Sequence, residues 1–167
     1  MVARAPFYEN AALTLNATHE PVLYADFKAP RDVSADDVQA MLDLSDRFLS
    51  RQAALVSLIH LHKGTGIISS EARRMFADWI ERRAKELRRE DVFVVIVVPE
   101  AIFRAVLRVV YRFRAAPIRT ITVPDIDAAA DAVRSELATL AQPLSPELER
   151  FLASLTEPGS ASKVARG

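Results

Sequence analysis

Apolar and polar positions recur along this chain with two periods, and the switches between them mark its elements. Residues 11–17 alternate weakly, and residues 22–27 repeat the alternation after the turn residues Thr18, His19, Glu20 and Pro21. This pattern predicts a hairpin. Val38, Met41, Leu42, Ser45, Phe48 and Leu49 then recur at helical spacing behind Ser34. Ser34 is a good N-cap, Asp36 and Asp37 suit the first turn, and the helix should end near Ser50. Residues 54–61 form a nearly continuous apolar run that Lys63, Gly64, Thr65 and Gly66 break. Ser69 or Ser70 should cap a long helix reaching about Glu90, with Ala72, Met75, Phe76, Trp79, Ile80 and Leu87 inward.

The run at 92–98 carries β-branched residues on both of its faces. It predicts an interior strand covered on both faces. Pro99 and Glu100 open a third helix to about Ala115, and residues 118–123 make another strand. Pro124 and Asp125 precede a fourth helix with Ile126, Ala129, Val133, Leu137 and Leu140 inward. Ser145 and Pro146 start a short last helix with Leu148, Phe151, Leu152 and Leu155 on one side. The expected fold is α/β: a mixed, roughly five-stranded sheet, an N-terminal hairpin, three parallel β-α-β units and a C-terminal helix. The expected organisation is a flexible N-terminus (1–10), one α/β domain (11–142), the short helix (143–155) and a disordered tail (156–167).

At 167 residues and half apolar, the chain suffices for one domain with a real core. There is no Cys, which excludes a disulfide scaffold, a thiol nucleophile and a thiolate metal site. The first ten residues carry no apolar run of the secretory type, and the run at 92–99 is far too short to span a bilayer. A cytoplasmic location is expected.

The element order, the strand-loop-Ser-helix segment at 58–72 and the VPDIDAAADAV start of the fourth helix resemble the STAS domains of anti-sigma-factor antagonists and small STAS-like bacterial proteins. The resemblance covers about residues 11–140. It implies a regulatory, protein-binding role and an anti-sigma or kinase-type partner. In signalling STAS domains a Ser at a helix N-terminus, in an Asp-Ser-Gly-like segment, accepts phosphate. The matching stretch here runs Ile67, Ile68, Ser69, Ser70, Glu71, Ala72. The resemblance thus makes Ser69 and Ser70 the candidate phosphoacceptors. The Asp is missing, however, and Glu71 would repel a phosphate that the helix N-terminus favours.

Charge adds a second candidate surface. The net charge is zero, yet residues 51–120 hold 14 Lys or Arg against 7 Asp or Glu. Arg104, Arg108 and Arg112 form a row on the third helix, beside Phe103, Leu107 and Tyr111 at the same spacing. That strip exceeds what a helix on a sheet must bury, so it could meet a protein partner, a second copy of the chain or an anionic lipid surface. Nucleic acid is not expected, because the net charge is zero and Glu71, Asp78, Glu81 and Glu86 oppose the arginines of the helix that starts at Ser70. The expected partner-binding residues are Thr65, Ser69, Ser70, Phe103, Arg104, Leu107, Arg108, Tyr111 and Arg112.

Chemistry is sparse. His60 and His62 point to one face at the end of a strand, and Asp26 could join them from the neighbouring strand. Two imidazoles at this spacing alone do not make a metal centre, and polar residues at a strand end explain them as well. The Gly64-Thr65-Gly66 turn lacks the spacing of a phosphate loop, and no nucleophile motif is present. The sequence therefore favours a non-enzymatic binding module without cofactor. The alternatives are a lipid-binding module built on the Arg row and a metal-dependent enzyme built on His60 and His62.

Overall fold

The computed structural model describes residues 7–28, 30–65, 68–101 and 118–157. These form six strands and five helices: β1 (Phe7–Glu9), β2 (Leu13–His19), β3 (Val22–Phe27), α1 (Ala35–Ser50), β4 (Leu55–Leu61), α2 (Ser70–Arg82), α3 (Ala84–Leu87), β5 (Val92–Val97), β6 (Arg119–Val123), α4 (Ile126–Thr139) and α5 (Pro146–Thr156). The strands make one sheet in the order β1-β2-β3-β4-β5-β6. β1, β2 and β3 pair antiparallel, whereas β3, β4, β5 and β6 pair parallel. The mixed sheet, the hairpin and the three parallel steps are as the sequence predicts. The sheet has six strands, not five, because Phe7–Glu9 adds an edge strand within the stretch expected to be flexible.

α1 begins where the sequence puts it, for a reason visible in its cap. Ser34 Oγ accepts from Asp37 N–H, and Asp37 Oδ2 accepts from Ser34 N–H at 2.9 Å, a capping box with Asp in place of Glu. Asp37 Oδ1 also accepts from Tyr8 Oη–H at 2.9 Å and from the Asn10 amide. β1 is therefore tied to α1 by side chains distant in sequence.

α1 and α2 cover one face of the sheet. Leu13, Leu15, Leu23, Ala25, Phe27 and Leu55 meet Val38, Leu42, Phe48, Ala72 and Trp79 there. Asp46 Oδ1 joins the two helices by accepting from Trp79 Nε1–H at 2.8 Å and Arg83 Nε–H at 2.9 Å. The long helix expected to reach Glu90 breaks at Arg83, and the one-turn α3 follows. Phe76, expected inward, is 38% exposed and stacks on Trp79 at the margin of this layer.

α4 and α5 cover the other face. Val133, Leu137, Leu148, Phe151 and Leu152 pack on Val22, Tyr24, Val56, Leu58, Phe93 and Val95. The C-terminal helix thus docks on its own domain. Phe151 stacks on His19 at 4.4 Å between centroids and meets Tyr24 edge-on at 5.8 Å. β3 lies between both helical layers and all six of its residues are buried. Alternation then puts Val22, Tyr24 and Asp26 together on the α4/α5 face.

Candidate functional site

Two groups of residues stand out at the C-terminal ends of β3 and β4. The first lies on the α4/α5 face. Parallel pairing sets Asp26 directly beside His60, and period two brings His62 onto the same face just past the strand. His62 Nε2 is 2.6 Å from Asp26 Oδ1, and His60 Nδ1 is 3.8 Å from the same oxygen. The two imidazole rings lie 4.1 Å apart. Tyr24 Oη, one step down β3, is 3.1 Å from His60 Nδ1. The sequence leaves open whether Asp26 joins His60 and His62, and the structure brings the three together. It did not include Tyr24, which in the run VLYADF reads as another apolar strand position.

Burial grades across this cluster. The side chain of Asp26 is 9% exposed, that of His60 19% and that of His62 35%. Burial, then the charge on His62, push the His60 imidazole down to about 4, against the opposing pull of Asp26. The hydrogen bond to Asp26 raises His62 above its ordinary value despite its partial burial. Burial and Asp26 together push the Tyr24 phenol up. Near pH 7 His60 is neutral, and we assign the Tyr24 hydroxyl as the donor to its Nδ1.

A pH dependence follows. His60 binds its proton less readily folded than unfolded, so its contribution is complete above about pH 6.5 and is lost as the pH falls towards 4. The loss is on the order of 3 kcal/mol by pH 4. His62 acts oppositely: its contribution is complete below its unfolded value and is lost as the pH rises through its elevated folded one. Urea midpoints at several pH values should therefore fall between pH 6.5 and 4, and His60→Gln should flatten that fall. A variant that tracks the wild type would show that His60 is not held neutral.

The second group is the loop that leaves β4 and enters α2. Gly64 has φ +73, a conformation costly to other residues. Thr65 Oγ1 accepts from His62 N–H at 2.9 Å and donates to His62 carbonyl oxygen at 2.7 Å, so its hydroxyl serves the turn. Ser69 caps α2, its hydroxyl accepting from Ala72 N–H at 3.1 Å. Ser70 is exposed, and its Oγ accepts from Arg73 Nη2 at 3.1 Å. Ile68 bridges to Val33 and is 41% exposed. Among the described residues, Ile68 and Phe76 are the exposed large apolar side chains. The other expected contacts, Phe103, Arg104, Leu107, Arg108, Tyr111 and Arg112, lie outside the described residues.

No helix among the described residues is long and apolar enough to cross a membrane. No protein-family model matches the chain, and no curated protein matches it. Among solved structures, it is similar to an uncharacterised protein of the DUF3478 family from Shewanella loihica PV-4, described as having a SpoIIAA-like fold. That likeness has a TM-score of 0.51 and 21% identity over 75% of this chain and 97% of the other. AtuE of Pseudomonas aeruginosa aligns over 93% of this chain and 89% of its own at 12% identity, with a TM-score of 0.42, too low to indicate a common fold. The sequential mixed sheet, its two helical layers and this likeness together identify a STAS-like α/β fold of the SpoIIAA-like kind.

Proposed function

We propose that the chain is a non-enzymatic regulatory or scaffolding module that binds a protein partner through the loop at 64–70 and the start of α2. The observation that carries this reading is the exposure of Ile68 beside Ser69 and Ser70 at the α2 N-terminus. An exposed large apolar side chain in a loop stabilised by backbone and hydroxyl hydrogen bonds gives a partner a preformed apolar contact. Ser69 is committed to the cap, so any phosphate-dependent control would fall on Ser70, where Arg73 is in reach and Glu71 opposes.

The test is quantitative affinity purification from native lysate with wild type, Ile68→Asp and the distant surface variant Arg150→Ala. Proteins retained by wild type and Arg150→Ala but reduced about tenfold, some 1.4 kcal/mol, by Ile68→Asp would support the reading. Folding of each variant is checked by circular dichroism. A retained set that is identical in all three would overturn it.

A further inference from the structure

We propose that Asp26, His60 and His62 form a binding site for a divalent transition-metal ion of the zinc type, on the sheet face opposite α2. The inference goes beyond the partner-binding reading and does not depend on it. One carboxylate and two imidazoles each offer a ligand atom here, all within 4.8 Å of one another. The backbone builds the set: β3 and β4 pair in parallel with Asp26 beside His60, and His62 follows at period two. An oxygen and two imidazole nitrogens suit Zn²⁺ and its neighbours, whereas Mg²⁺ and Ca²⁺ prefer oxygen alone.

The distances fit an ion that has only to draw the ligands slightly. Bonds of about 2.0 Å in a tetrahedral arrangement put ligand atoms roughly 3.3 Å apart. The two separations to Asp26 Oδ1, 2.6 Å from His62 and 3.8 Å from His60, lie on either side of that value. His62 must give up its hydrogen bond and move outward. Its side chain can do so because it stands beyond the last residue of β4 and is the most exposed of the three, while Thr65 holds its backbone. Asp26 and His60, fixed in adjacent strands, form the rigid part of the site. His60 Nδ1, 3.1 Å from Tyr24 Oη, would exchange that hydrogen bond for the ion. Three protein ligands leave the fourth position to water or to an external donor.

Calorimetric titration of tag-free, chelator-treated protein with Zn²⁺ tests this. The expected result is one equivalent bound with micromolar or tighter affinity. His62→Asn should weaken it by at least about 100-fold, since losing a ligand costs no less than losing a supporting contact. His19→Asn, which removes the remaining histidine, should leave it unchanged. No saturable binding by wild type, equal binding by His62→Asn, or loss in His19→Asn would each overturn the proposal. Should His62→Asn fail to fold, the visible spectrum of wild type loaded with Co²⁺ decides. Intense four-coordinate bands support the site, and the pale spectrum of hexa-aqua Co²⁺ overturns it.

Discussion

Leu152→Ala should lower stability by about 3 kcal/mol, within the usual range for a leucine buried in a packed core. Leu152 is fully buried on α5, beside Leu148 and Phe151, in the layer that covers Val22, Tyr24 and Leu58. Truncation removes its transfer free energy and leaves a cavity against a sheet that cannot follow the shrinking side chain. β3 and β4 are held in the sheet by strands on both sides and cannot move up to fill it. The control is Arg150→Ala on the outward side of the same helix, which should change stability by no more than about 0.5 kcal/mol. Urea denaturation of both variants checks the pair. A cost below about 1 kcal/mol for Leu152→Ala would mean that α5 does not form part of the core.

Asp37→Ala should cost a similar amount, about 2–4 kcal/mol, through polar contacts. Asp37 is buried and accepts hydrogen bonds from Ser34 N–H at 2.9 Å, Ser34 Oγ–H at 2.7 Å, Tyr8 Oη–H at 2.9 Å and the Asn10 amide. Alanine removes half of the α1 capping box and frees the side chains that tie β1 to the domain. Asp37→Asn keeps an acceptor and should recover part of the loss. Burial alone would push the Asp37 carboxyl up, but the hydrogen bonds from Ser34, Tyr8 and Asn10 outweigh it and hold it below its ordinary value. Its contribution is therefore present above its unfolded value of 3.8 and is lost as the pH falls through the lower folded one. Hydrogen exchange should show the β1 amides losing protection in Asp37→Ala before those of β3. Protection of β1 that survives the substitution would show that backbone pairing alone holds the strand.

The elements that could be read from the sequence are those whose signals are local. β3 and α1 were legible because alternation, a Ser cap and an apolar stripe coincide with their final boundaries. β1 was not, because three residues carry no usable period and its anchor, Asp37, lies far along the chain. The break at Arg83 has no Gly or Pro to announce it, and the Arg83 guanidinium bonds to Asp46 on another helix. Phe76 fits the apolar period of α2 but falls at the edge of a layer whose width the sequence does not state. In the candidate cluster, His60 and His62 were legible from their spacing. The position of Asp26 depends on β3 being the neighbour of β4, which no local signal states, and Tyr24 is hidden by its aromatic ring. For Thr65, a candidate contact residue by sequence, the structure adds that its hydroxyl closes a turn with His62.

The strictly sequential strand order also bears on how the chain assembles. Each strand pairs with the one made just before it, so none has to be inserted later between two that already exist. The sheet can grow from the β2–β3 hairpin as the polypeptide leaves the ribosome, with α1 and α2 closing their face along the way. Among the described residues, the helices that cover the opposite face are α4 and α5, which are synthesised after β6. Until then Tyr24, Leu58 and Phe93 lack the packing that Val133, Leu137, Leu148, Phe151 and Leu152 give them. A nascent chain arrested before residue 143 lacks α5 and should accordingly recruit chaperones that a chain carrying both helices does not need.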